Sequence, residues 1–312
     1  MNGRFDEADP AGAAFTWSGT SLSTRIMGSE LSVTLDGAGG VYFQIVVDGD
    51  VTGQLVTTGG KQTYPLVTGL SAGAHDVEVH RRNEGFYGAV NFVAFEPGAG
   101  TTLVESPDPY LHRLEFIGDS LTCGYGIEGA TGCSFSAETE SAYTTYAAVA
   151  ARSLKAEAHL VAFSGKGVFQ NYAGDKVELM PELWLRTLTG DPAPWDFTKY
   201  TPEAVIVNLG TNDFSAPVAQ AEFEGAYVDL LQAVRQRYPA ARIFAVRWAS
   251  WGATHESWVT NALATFGDAN TEGIEFTTDP ADGQGCDGHT NVTSNAKLGA
   301  KLTAALKSSM GW

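Results

Sequence analysis

The chain has 312 residues and a net charge of −17, from 36 acidic and 19 basic side chains. That balance argues against nucleic acid or an anionic membrane surface as partner, because both need clustered Lys and Arg. Apolar residues make up 44%, enough for packed cores in two domains of ordinary size, and no apolar run approaches a membrane span. The start, Met1-Asn-Gly-Arg-Phe-Asp-Glu7, is polar and lacks the apolar stretch of a signal peptide. Three cysteines, Cys123, Cys133 and Cys286, allow at most one disulfide within the chain, and their spacing matches no zinc site.

Residues 1–97 read as an all-β domain of sandwich or jelly-roll type. Strand candidates are Leu31–Leu35, Val41–Val47, Gln62–Leu66, Ala74–His80 and Ala89–Phe95. Turn residues such as Asp36-Gly37, Gly39-Gly40 and Gly59-Gly60 separate them. Val77 and Val79 alternate with Asp76, Glu78 and His80, the pattern of a sheet with one wet face. Nothing in this part carries a catalytic constellation. Residues 98–110, rich in Pro and Gly, read as a linker.

From residue 111 the pattern turns to alternating strand and helix. Strands are expected at Arg113–Ile117, Ala158–Phe163, Ala204–Leu209, Arg242–Val246 and Ile274–Thr277. Helices are expected at Ser141–Leu154, Pro217–Tyr238, His255–Phe266 and Val292–Ser308. This alternation predicts a five-stranded parallel sheet with helices on both faces. Right-handed crossovers gather the carboxyl ends of the strands on one edge, so the residues just past each strand meet in space.

Those residues are chemically pointed. Gly118-Asp-Ser120 follows the first strand, Ser164-Gly-Lys-Gly167 the second, and Gly210-Thr-Asn-Asp213 the third. Asp287-Gly-His289 precedes the last helix. A serine nucleophile needs a base, and an acyl intermediate needs donors aimed at its oxyanion. Ser120 is the candidate nucleophile and His289 the base, kept neutral by the positive end of the final helix. Asp287 is near enough in sequence to orient the ring. The donors are the Ser120 N–H, the Gly165 N–H and the Asn212 side-chain amide. Taken singly, each has an ordinary reading: Ser120 as a helix cap, Gly165 as a tight turn, Asn212 as loop composition, His289 as a surface residue. Their joint order and strand-end placement favour chemistry. Trp251 and Tyr172, with Tyr125, are candidates for stacking on a sugar ring, whereas Phe169 and Trp248 read equally well as core.

The four blocks resemble those of the SGNH (GDSL) hydrolase superfamily. Phe116-Ile-Gly-Asp-Ser-Leu-Thr-Cys-Gly-Tyr-Gly126, Phe135–Glu140, Ser164–Tyr172 and Val207–Ser215 are similar, more narrowly, to carbohydrate esterase family 2. The resemblance implies a flavodoxin-like three-layer SGNH domain over 111–312, preceded by a jelly roll. It implies deacetylation of xylan- or mannan-type carbohydrates through Ser120 and His289, with Ser120, Gly165 and Asn212 as the oxyanion hole. No metal or cofactor is implied; the expected partner is an acetylated carbohydrate, the expected state a monomer, and the expected compartment extracellular or periplasmic. Two positions depart from the superfamily pattern. Cys286 stands three before the histidine, where the acidic partner is common, and some members of the narrower family work as a Ser–His dyad, so the resemblance leaves open whether Asp287 completes a triad; Thr290 follows the histidine where proline is common. The alternatives are a lipase, thioesterase or other small-acyl esterase on the same scaffold, and a sugar-binding protein without activity.

Overall fold

The computed structural model describes residues 1–312, which divide into two units, Met1–Pro109 with Thr187–Ala193, and Tyr110–Arg186 with Pro194–Trp312. The first unit is built from β1 (Ala13–Phe15), β2 (Ser21–Met27), β3 (Leu31–Gly37), β4 (Gly39–Val47), β5 (Asp50–Thr58), β6 (Gln62–Val67), β7 (Ala74–Arg81), β8 (Val90–Pro97) and β9 (Thr102–Val104). They form two antiparallel sheets, ordered β1-β8-β3-β6 and β5-β4-β7-β2-β9. Phe15, Val33, Leu35 and Val90 of one sheet share a core with Leu22, Ile26, Phe43, Val77 and Val79 of the other. Alternation along each strand supplies that core from one face only, which makes the unit a sandwich. Thr187–Ala193 joins it by hydrogen bonds: Trp17 Nε1 donates to Thr187 O at 2.8 Å, and Thr189 N to Thr16 Oγ1 at 2.9 Å.

The second unit carries β10 (His112–Gly118), α1 (Ser120–Cys123), α2 (Tyr146–Leu154), β11 (Ala156–Ala162), α3 (Met180–Leu183), β12 (Ala204–Asn208), α4 (Gln220–Arg237), β13 (Arg242–Trp248), α5 (Gly252–Phe266), β14 (Thr271–Phe276) and α6 (Val292–Met310). All pairings in its sheet are parallel, and the order is β11-β10-β12-β13-β14. This is the flavodoxin-like arrangement, in which the order reverses beside the first strand. Strands buried on both faces read as nearly continuous apolar runs, and β12, Ala-Val-Ile-Val-Asn, is buried at every position and polar only at its last. Ala204 and Ile206 pack with Tyr146, Ala150, Leu298 and Leu302 of α2 and α6. Val205, Val207, Ile243 and Ala245 lie outside that cluster and are also buried, facing the layer that holds α4 and α5.

Two buried polar knots brace the sheet. Glu115, fully buried on β10, accepts from Trp184 Nε1 at 2.6 Å and Tyr238 OH at 2.9 Å. Tyr146 OH bonds Thr122 Oγ1 at 2.7 Å and accepts from Asn208 Nδ2 at 3.0 Å, while Asn208 Oδ1 accepts from Trp248 Nε1 at 2.8 Å. The second chain runs beneath the sheet edge where the site lies and joins α1, α2, β12 and β13. Trp248 is therefore core.

Candidate active site

The site is assembled at the carboxyl ends of β10, β11 and β12. β10 stops at Gly118, and the Asp119 side chain accepts from Leu121 N at 3.0 Å, capping α1. Ser120 is then the first residue of the helix rather than its cap. In that position its N–H has no intrahelical acceptor, and it donates to no other protein group. The Gly165 N–H is likewise without a protein acceptor. Gly165 has φ of +79°, and a Cβ built there would meet nothing within 4 Å, so one side of the glycine faces open space.

His289 Nε2 stands 2.9 Å from Ser120 Oγ, across 169 positions of sequence. Burial is the main reason its pKa is lowered from the ordinary 6.5, opposed by the Cys286 and Asp287 backbone and by the Asp287 charge. The helix end proposed from sequence is two residues further on, where Asn291 caps α6 by accepting from Ser294 N at 3.0 Å. Burial therefore does the work assigned to the dipole. Asn295, 1% exposed, ties this segment to α2: Oδ1 accepts from Tyr146 N at 2.9 Å, and Nδ2 donates to Thr290 Oγ1 at 2.9 Å. The threonine after the histidine is thus a hydrogen-bonded anchor.

Asp287 does not meet the imidazole. Its Oδ2 accepts from Tyr125 OH at 3.1 Å and Phe135 N at 3.0 Å. Asp287 has φ of +50°, in the left-handed region, whereas His289 is extended, so the two side chains leave the loop in different directions. His289 Nδ1 is buried without a hydrogen-bond partner; the carbonyls of Cys286 and Asp287 act on it from outside hydrogen-bond geometry. The orienting role read for Asp287 from sequence is corrected accordingly: its carboxylate holds a tyrosine.

Asn212 is 6% exposed, and its Nδ2 donates to Lys166 O at 2.8 Å and to Asp119 Oδ2 at 3.2 Å. The amide therefore lies among Ser120, the Gly165 loop and the third strand. An acyl oxygen here would share one of these hydrogens, most readily the one in the longer bond. Its neighbour Asp213 has a part that the motif alone did not disclose. The fully buried carboxylate accepts from Val168 N at 3.0 Å, Phe169 N at 2.8 Å and Gln170 N at 3.0 Å. Burial pushes its pKa up, and the three amides pull it down. Gly167 allows this approach, because a Cβ there would lie 2.6 Å from Asp213 Oδ2. Asp213 thus anchors the loop that carries Gly165.

Of the three aromatic candidates, Tyr172 is 67% exposed and lies beside the site, its N–H donating to Gly165 O at 2.8 Å. Trp251 is half-buried, with Nε1 donating to Thr211 Oγ1 at 3.2 Å and the ring edge-on to Phe214. Tyr125 is different. Its ring stacks on Phe135 at 3.9 Å and on His289 at 4.4 Å. Two rings that close cannot share a face, so both faces are covered and no platform for a sugar is left.

Cys133 and Cys286 form a disulfide with a sequence separation of 153, and Cys123 is buried and outside the bridge. The bridge staples the Tyr125–Phe135 segment to the loop of His289, where Asp287 N also donates to Cys133 O at 2.9 Å. Closing so long a loop stabilises by about 3–5 kcal/mol. Cys133→Ser should lower the unfolding free energy by about that amount, read as a lower denaturant midpoint, and reduce turnover more than affinity. A variant with wild-type stability and turnover would show that the staple is dispensable.

No group of three or more His, Cys, Asp or Glu side chains is placed to hold a metal ion, and no helix is long and apolar enough to cross a membrane.

Residues 116–285, which carry most of this sheet, match the family model of GDSL-like lipases and acylhydrolases. Residues 1–107 match the model of the carbohydrate esterase 2 N-terminal domain. The whole chain is 38% identical over 321 residues to the cellulase/esterase CelE of Acetivibrio thermocellus, and spans 39% of that protein's length. It is 25% identical over 317 residues to an acetylxylan esterase / glucomannan deacetylase of Cellvibrio japonicus, covering 99% of this chain and 88% of that one. A family two carbohydrate esterase from Clostridium thermocellum, solved in complex with cellohexaose, superposes with a TM-score of 0.95 at 37% identity, over 100% of this chain and 98% of that one. The chain belongs to carbohydrate esterase family 2, within the GDSL-like lipases and acylhydrolases.

Proposed function

We propose that the protein is a serine esterase that removes O-acetyl groups from carbohydrates of the xylan or mannan type through an acetyl-enzyme on Ser120. The observation that carries the reading is the 2.9 Å contact between Ser120 Oγ and His289 Nε2 at the strand ends. His289, with its pKa lowered, is neutral and accepts the Ser120 proton as Oγ attacks the ester carbonyl. Negative charge gathers on the carbonyl oxygen, and the N–H groups of Ser120 and Gly165 with Asn212 Nδ2 stabilise it. The imidazolium returns its proton to the departing sugar hydroxyl. Water, activated by the same ring, then releases acetate and regenerates Ser120. The base works without a carboxylate on Nδ1, as a Ser–His pair. The exposed Tyr172 ring beside Gly165 is the preferred sugar contact.

The names of the relatives support the substrate class: one is an acetylxylan esterase / glucomannan deacetylase, and another was captured with cellohexaose. The test is acetate release from acetylated xylan, glucomannan and cello-oligosaccharides, beside p-nitrophenyl esters of increasing acyl length. Acetyl esters of saccharides should be preferred. Preference for long acyl chains would make the protein a lipase-like member. Glycan binding without acetate release would make it a sugar-binding one.

A pH dependence follows from the sign of the His289 shift. Activity requires the neutral ring, and lowering its pKa extends the neutral form to lower pH. The acidic limb of kcat/KM should therefore lie below 6.5, the ordinary imidazole value. A limb at or above that value would contradict the burial argument.

A further inference from the structure

We propose that Tyr125 is the positioning residue of His289, its ring face fixing the imidazole and offsetting the positive charge that the ring acquires on taking the Ser120 proton. The inference rests on the reading of His289 as the base. A serine–histidine pair needs something to hold the ring and to meet its transient charge, work that a carboxylate on Nδ1 commonly does. Here no carboxylate reaches Nδ1, because the Asp287 Oδ2 bonds go to Tyr125 OH and Phe135 N.

What lies against the imidazole instead is the Tyr125 ring, with centroids 4.4 Å apart and planes 33° from parallel. A cation within about 6 Å of an aromatic centroid is attracted by the negative face of the ring. Phe135, stacked at 3.9 Å on the opposite face, backs Tyr125. The Asp287 carboxylate fixes the remaining freedom by accepting from the phenol at 3.1 Å. The Cys133–Cys286 bridge holds the two segments together. A stack of Phe135, Tyr125 and His289, locked at three points, leaves the imidazole one position, with Nε2 on Ser120 Oγ. The charged and titratable groups facing the ring are few. Asp287 lies on its own loop, exposed, so that solvent screens its charge. The Tyr125 phenol and Ser120 hydroxyl come from the α1 side. Asp119, next to Ser120, is turned to Leu121 N and Asn212 Nδ2.

The test is an NMR titration of the His289 ring in the full chain, with pH profiles of acetate release alongside. Tyr125→Leu should lower the imidazole pKa by about half a unit to one unit, move the acidic limb of kcat/KM by the same distance, and cut kcat several-fold at little change in KM. Tyr125→Phe, which restores the face without the hydroxyl, should recover the pKa. A series of progressively fluorinated phenylalanines at position 125, which weaken the face at nearly constant shape, should lower the pKa stepwise. That series decides the matter even where the leucine variant does not fold. A flat series, or a leucine variant that titrates like the unmutated protein, overturns the proposal. The titration needs no substrate. Absence of esterase activity in the unmutated protein would remove the functional reading and leave the role of the Tyr125 face to be decided by the pKa values alone.

Discussion

Ser120→Ala should abolish acetate release, lowering kcat by about 10⁴-fold or more while carbohydrate binding persists. On the proposed mechanism the effect is large because the hydroxyl forms the bond to the acyl carbon, and no neighbour can replace it. Thr122 Oγ1 is buried against Tyr146 OH, and Ser164 lies on another loop. His289→Ala should cost about as much, and the double variant little more, since nucleophile and base act as one unit. Isothermal titration with a saccharide ligand, beside acetate assays, separates lost chemistry from lost binding. A Ser120→Ala variant within tenfold of the unmutated rate would place the chemistry elsewhere.

Asn212→Ala should lower kcat by about a hundredfold to a thousandfold, with KM nearly unchanged. Part of this is the loss of a donor to the oxyanion, an interaction that strengthens only as charge develops. The other part is specific to this site. Asn212 Nδ2 holds Lys166 O at 2.8 Å and Asp119 Oδ2 at 3.2 Å. It therefore ties the residue after Gly165 to the residue before Ser120, and its removal loosens the two backbone donors as well. A variant with unchanged kcat, or a loss seen only in KM, would take Asn212 out of the oxyanion site.

Much of this site was legible in the sequence because strand ends constrain composition tightly. The proposed chemistry asks for one residue at each of these places: Ser120, Gly165, Asn212 and His289. The five parallel strands were legible too, as apolar runs that burial on both faces requires. Other features were hidden for physical reasons. β5, Asp50–Thr58, is an edge strand with only two buried residues, so its sequence carries little apolar signal. The helix expected from Ser141 begins at Tyr146, because Thr145 caps it by accepting from Ala148 N at 3.3 Å and the preceding residues form a tighter turn. The partner of Asp287 could not be read at all. Proximity in sequence suggested the imidazole, whereas a tyrosine 162 positions away is brought to it only by the fold. Cysteine pairing was open for the same reason: three thiols offer several pairs, and only the approach of the 133 and 286 loops selects one. Asp213 stood in a recognised block, yet its work, collecting three amides of another loop, belongs to no local pattern.

The most direct measurement is mass spectrometry of the acid-quenched protein during turnover of p-nitrophenyl acetate. The acetyl group should be found on the peptide that contains Ser120, and should disappear in both Ser120→Ala and His289→Ala. An acetyl group on another residue, or steady turnover in the Ser120→Ala protein, would contradict catalysis by the Ser120–His289 pair.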